Sequence, residues 1–154
     1  SERQGPGSES DTLKALEFLN LPSDQNLKVA DIGCGSGGQT ISLAKNLNGQ
    51  ITAVDLFPEF LNELYQKAQK SGLTDKILTL EESMDDLSFD KGEFDLIWSE
   101  GGIYNIGFEN GLKKWKDFLK LGGCLAVSEI TWITQTRPEK IQNFWKTRRY
   151  PKHS

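Results

Sequence analysis

The stretch Leu27-Lys28-Val29-Ala30-Asp31-Ile32-Gly33-Cys34-Gly35-Ser36-Gly37-Gly38 decides the fold. Its apolar run predicts a short buried strand, and the glycines after it predict a tight turn into a helix beginning near Ser36. That arrangement can hold a nucleotide-like ligand above a strand end. Glycine takes positive φ and lets a ligand approach the backbone, while the amides of the helix start offer hydrogen-bond donors. Two spacings fit this turn. Gly33, Gly35 and Gly38 match the dinucleotide pattern G-x-G-x-x-G, and Gly33, Gly35 and Gly37 match G-x-G-x-G. A turn that merely joins strand to helix, with no ligand, is the plainer alternative.

Asp31 tips the balance, because a carboxylate two residues before the first glycine stands where a dehydrogenase normally needs only an apolar side chain. It can accept from the loop amides or, directly or through water, from a ligand's ammonium. The segment Asp31-Ile32-Gly33-Cys34-Gly35-Ser36-Gly37 resembles the first motif of class I S-adenosylmethionine-dependent methyltransferases. Over roughly Gln4 to Phe144 the chain is most similar to the small-molecule members often described as type 11 or ubiquinone-biosynthesis-like. The resemblance implies a Rossmann-like three-layer α/β sandwich with a mostly parallel sheet of order 3-2-1-4-5. It also implies S-adenosylmethionine as cofactor, S-adenosylhomocysteine as product, and cofactor contacts from Asp31, Gly33, Gly35 and Gly37.

Working outward, Ile41, Ala44 and Leu47 mark a first helix face, and Asn48-Gly49 ends that helix. Ile51-Thr52-Ala53-Val54-Asp55-Leu56 is the second strand. It ends in an acid roughly 20 residues after the first glycine, placed to accept from ribose hydroxyls. With Pro58 close by, Asp55 reads equally as a helix cap. Phe57, Leu61, Leu64, Tyr65 and Ala68 give an amphipathic helix whose two aromatics read as core, stopped by Ser71-Gly72. Ile77-Leu78-Thr79-Leu80 is the third strand. The resemblance places Ser83 and Met84 at the adenine and adds Leu56 and Ser99 to the cofactor contacts, although the family often has an acid where Ser83 stands. A loop methionine also packs for its own sake.

Phe94-Asp95-Leu96-Ile97-Trp98-Ser99 is the fourth strand, and Glu100-Gly101-Gly102 opens space at its carboxyl end, where open α/β sheets bind ligands. Glu100 and Tyr104 are the candidates for facing the substrate, Glu100 also as a base; the bland alternative is an exposed acid and a packed aromatic. Phe108, Leu112, Trp115 and Leu119 mark a helix whose lysines read as its solvated face. Leu121-Gly122-Gly123 turns into a fifth strand, Cys124 to Ile130. Thr136-Arg137-Pro138-Glu139 looks like the capped start of a helix carrying Ile141, Phe144 and Trp145, and residues 146–154 read as a basic irregular tail. At the other end, Leu13, Leu16 and Leu19 line a helix, and Ser1–Ser8, with Gln4 and Gly5, lies across the cofactor site in the family reading or is a frayed terminus.

The chain has 154 residues, of which 36% are hydrophobic, which suits one domain, here 1–145. Related methyltransferases add two further strands, one antiparallel beside strand five. No residues remain for them on this reading, so a shortened form is expected, with an open strand-five edge favouring a homodimer. Charge is nearly balanced, 18 basic against 22 acidic residues, so nothing marks the whole protein as a nucleic-acid binder, and none is expected as a partner. Cys34 and Cys124 read as free thiols of a cytoplasmic protein without a membrane span. His153 and two distant cysteines cannot complete a metal site, nor is there a Ser/His/Asp or Cys/His set for acyl transfer. The expected function is in-line methyl transfer to a small-molecule acceptor. A non-catalytic binding form and, more weakly, an NAD-dependent oxidoreductase are the alternatives.

Overall fold

Strand β1 (Leu27–Ile32) forms where both faces of the chain are covered: Leu27, Val29, Ala30 and Ile32 are all buried, as a central parallel strand requires. The computed structural model describes residues 9–100, 108–132 and 141–150. In chain order the remaining elements are helix α1 (Glu9–Leu19), which precedes β1, then α2 (Gly38–Asn46), β2 (Gly49–Asp55), α3 (Pro58–Ser71), β3 (Ile77–Glu81) and β4 (Phe94–Ser99). They are followed by α4 (Phe108–Trp115), a short 3-10 turn over Lys116–Phe118, β5 (Leu119–Trp132) and β6 (Ile141–Arg149). Among the described residues they build a six-stranded sheet of order β3-β2-β1-β4-β5-β6, parallel up to β5.

Successive residues of each strand feed opposite layers. Val29, Ala53, Leu96, Trp98 and Ala126 pack with Leu16, Leu43 and Leu64 of α1, α2 and α3. On the other face Ala30, Ile32, Ile97, Leu125 and Val127 meet Trp115 of α4, beside edge-to-face contacts of Phe89 with Phe94 and Phe118. Lys76 closes the carboxyl end of α2 by donating to the carbonyls of Ala44 and, at 2.7 Å, Leu47. None of the described helices is long and apolar enough to cross a membrane.

Several expectations change. Strand β6 pairs antiparallel with β5, from Cys124 opposite Arg149 to Trp132 opposite Ile141. The antiparallel strand beside strand five is therefore present rather than missing, and residues 146–149 belong to it rather than to an irregular tail. Ile141, Phe144 and Trp145 suit helical spacing, but the row of unpaired backbone groups along β5 favours a strand there, and pairing overrides local pattern. The edge on which a homodimer was expected is thus already occupied. The capped helix start at 136–139 lies outside the described residues.

Leu121-Gly122-Gly123 is not a connection before β5 but an irregularity inside it. The register with β4 jumps from Phe94 opposite Leu119 to Leu96 opposite Cys124, and Gly122 takes φ 87°. A Cβ on Gly123 would stand 2.9 Å from the Lys120 carbonyl oxygen, so only glycine fits. In α3 the buried stripe is Leu61, Leu64 and Ala68, while Phe57 and Tyr65, expected in the core, are half exposed. They flank the stripe and turn outward. Helix α2 begins at Gly38, two residues later than expected, an ordinary uncertainty of helix boundaries.

Candidate cofactor site

The chain leaves β1 at the point where the sheet order reverses, with β2 on one side and β4 on the other. Pairing of β1 with β4 runs to Asp31 opposite Trp98. One residue on, the buried Ser99 hydroxyl donates to the Ile32 carbonyl at 2.9 Å, so a side chain holds the strand ends together where the crevice opens.

The glycine turn closes over the end of β2. The amides of Gly33 and Cys34 both donate to the Val54 carbonyl, at 2.8 and 2.9 Å, and the Gly37 amide donates to the Cys34 carbonyl at 3.1 Å. Positive φ falls on Gly33, Gly35 and Gly37, at 73°, 57° and 91°, whereas Gly38 opens α2. The backbone therefore selects the G-x-G-x-G reading over the dinucleotide spacing. Gly37 has a second constraint, since a Cβ there would lie 2.3 Å from Leu64 Cδ1, so its absence lets α3 pack against the turn.

Asp55 ties the glycine turn to the start of α3, as a capping acid does. Its Oδ2 accepts from the Gly35 amide at 2.9 Å, and its Oδ1 accepts from the Phe57 amide at 3.0 Å, turning the chain into α3. The carboxylate is thus oriented by the glycine turn itself. Leu56, beside it, is 54% exposed although it follows the buried Val54. Across the turn, Met84 Cε lies 3.4 Å from where a Gly33 Cβ would stand. Met84 is fixed by its backbone, because Trp115 Nε1 donates to its carbonyl at 3.2 Å. Ser83 Oγ accepts from the Asp85 amide at 3.1 Å and so shapes its own turn.

Asp31 is fully buried, and its Oδ2 accepts from the Thr40 hydroxyl at 2.6 Å and from Gln39 Nε2 at 3.4 Å. Gln39 Nε2 also donates to the Cys34 carbonyl at 2.8 Å. Between them, burial first and then the charges of Asp31 and Asp55 push the Cys34 thiol far above its ordinary range, which makes it inert. Glu100 is half-buried, and its Oε2 accepts from the Thr12 hydroxyl of α1 at 3.3 Å.

The structure therefore brings Asp31, Gly33, Gly35, Gly37, Asp55, Leu56, Met84 and Ser99 around the ends of β1, β2 and β4, with Ser83 in the adjoining turn and Glu100 on the α1 side. Gln4, Gly5 and Tyr104 lie outside the described residues. Sequence reasoning missed Thr12, Gln39 and Thr40. For the last two a signal was present: adjacent polar residues on the first turn of α2, a helix otherwise read only for its apolar face.

A family profile described as a methyltransferase domain matches residues 29–123, which hold the glycine turn, Asp55 and the β4 end. The chain belongs to the class I S-adenosylmethionine-dependent methyltransferases. Among the methyltransferases it resembles is 2-methyl-6-phytyl-1,4-hydroquinone methyltransferase of Synechocystis sp., 31% identical over 122 residues, covering 77% of this chain and 36% of that one. The ubiquinone/menaquinone biosynthesis C-methyltransferase UbiE of Rhizobium rhizogenes is 27% identical over 139 residues, covering 88% of this chain and 54% of the relative. The chain thus spans about half the length, or less, of these curated relatives. In fold it is similar to geranyl diphosphate C-methyltransferase from Streptomyces coelicolor A3(2), crystallised with Mg2+, geranyl diphosphate and S-adenosyl-L-homocysteine. The TM-score is 0.70 at 20% identity, over 80% of this chain and 45% of that one.

Proposed function

We propose that this methyltransferase domain binds S-adenosylmethionine at the β1–β2–β4 strand ends and transfers its methyl group to a small-molecule acceptor. The observation that carries this reading is the bond from the Gly35 amide to Asp55, which joins the glycine turn and the strand-end carboxylate into one cradle. The side chains around it suit the cofactor. Asp55 is the acceptor for ribose hydroxyls, Asp31 the carboxylate for the ammonium, and the exposed Leu56 with Met84 supplies apolar cover for a purine. An apolar side chain exposed at a strand end beside Asp55 gains by burial against such a ring. Gln4 and Gly5 would close the site from the N-terminal side, and Ser83 and Ser99 shape its walls.

When bound, S-adenosylmethionine supplies an electrophilic sulfonium methyl whose loss leaves neutral S-adenosylhomocysteine. The chain's own residues then contribute position and exclusion of water more than covalent chemistry. Glu100 and Tyr104 would face the acceptor, and Glu100 would take its proton where the acceptor needs one removed. Related proteins named for quinone, tocopherol and geranyl diphosphate methylation support a small organic acceptor. Two buried free thiols favour a reducing, cytoplasmic setting.

Calorimetric titration with S-adenosylhomocysteine, with NADH in parallel, tests the reading. Binding of the homocysteine compound alone is expected, weakened about tenfold or more by Asp55→Ala through loss of charge-assisted bonds. A folded chain that binds neither ligand ends the proposal. In an acceptor screen, Glu100→Gln is expected to slow transfer at unchanged cofactor affinity, and an unchanged rate would take the base role from Glu100.

A further inference from the structure

Thr40 has no place in the reading so far, yet its hydroxyl donates to Asp31 Oδ2 at 2.6 Å, closer than the 2.9 and 3.0 Å at which the Gly35 and Phe57 amides donate to Asp55. Both residues are fully buried. We propose that Thr40 is a positioning residue that acts on the amino-acid end of the cofactor through Asp31. The inference rests on the cofactor reading above, in which Asp31 meets the ammonium.

The backbone of Asp31 is already fixed, paired with Ala53 on one side and Trp98 on the other. What remains to be set is the orientation of the carboxylate. Thr40 sits in the first turn of α2, the helix that leaves the glycine turn, so its hydroxyl reports the position of that turn to Asp31. Gln39 repeats the link, since one amide nitrogen serves both Asp31 Oδ2 and the Cys34 carbonyl. Turn and carboxylate thus move as a unit. A β-branched side chain on a helix has few χ1 choices, which makes Thr40 a stiffer donor than serine or a longer side chain would be. A carboxylate ordered before the ligand arrives forms its charge-assisted bond without a further entropic cost.

The test compares two probes by calorimetry on the full chain: S-adenosylhomocysteine, which carries the amino-acid tail, and 5′-methylthioadenosine, which lacks it. Thr40→Val keeps shape and removes the donor. It is expected to weaken the first probe about tenfold and leave the second within about twofold. Equal weakening of both, or no weakening of either, overturns the proposal, because a general loosening of the fold would not single out the tail. Thr40→Ser restores the hydroxyl and is expected to bind both probes within about threefold of the parent chain. A tail-selective tenfold loss in Thr40→Ser would mean that the methyl and not the donor matters, which also overturns it, and this arm stands should Thr40→Val fail to fold. In an Asp31→Asn background, adding Thr40→Val is expected to cost less than about twofold more; a full second tenfold loss would show that Thr40 acts independently of the carboxylate. If the parent chain, shown folded, binds neither probe, the cofactor reading falls and takes this inference with it, an outcome distinct from every variant result.

Discussion

The glycine turn and the β5–β6 edge are both places where backbone meets backbone, yet they are held in different ways. At the turn, a bond to the carboxylate of Asp55 and bonds from the amide of Gln39 and the hydroxyls of Thr40 and Ser99 fix a path that only glycine can follow at Gly37. At the far edge, the ladder from Cys124–Arg149 to Trp132–Ile141 is made by peptide groups that nearly any residue could supply. Geometry at the turn depends on residue identity. At the edge it depends on there being a strand to pair with.

That contrast can be broken at either end. The largest effect is expected from Gly37→Val, which combines positive φ with a Cβ 2.3 Å from Leu64 Cδ1 and should destabilise the fold by about 3 kcal/mol in urea unfolding. A loss below about 1 kcal/mol would mean that the turn and α3 shift together and that the turn is no stricter than the edge.

The two thiols compare the regions from within. Burial raises both, the charges of Asp31 and Asp55 raise Cys34 further, and Arg149 on β6 pulls Cys124 back down. In native-state alkylation at mildly alkaline pH, Cys124 is expected to react on the order of tenfold faster than Cys34, through opening of the edge. The reverse order would invert the comparison. The sign for stability follows from the same shifts. Above the ordinary thiol value of 9.0 the unfolded chain releases protons that the folded chain keeps, so stability is complete below that pH and falls as pH rises beyond it. Smallest of all, Thr147→Val on β6 is expected to change stability by less than about 0.5 kcal/mol, and a cost above about 1 kcal/mol would show that side-chain fit matters at the edge too.

What could be read from the residues follows the same division. Gly33, Gly35, Gly37, Asp31 and Asp55 were legible because few residue types tolerate such backbone or stand at strand ends without purpose. The parallel strands were legible from apolar runs bounded by turns. Strand β6 was not, since Ile141, Phe144 and Trp145 satisfy a helical spacing and only the open side of β5 makes the other choice. Thr12, Gln39 and Thr40 were not singled out either. A polar side chain on a helix becomes a buried donor only when the fold brings a carboxylate to it, and that pairing spans 88 residues for Thr12 and Glu100. Phe57 and Tyr65 were assigned to the core because an amphipathic stripe has no sharp border in sequence.

Arg149 gives the edge a further meaning. Its Nη2 donates to the Leu19 carbonyl at 2.8 Å across a separation of 130 residues, and its Nη1 donates to Gly122 at 3.2 Å. The carboxyl end of the first described helix is therefore tied to almost the last described residue. Closing so long a loop costs little more free energy than closing one half its length, but contacts this distant in sequence slow the search for the native arrangement. On the ribosome, Leu19 emerges 130 residues before its partner Arg149, so between the two the nascent chain holds an unfinished sheet.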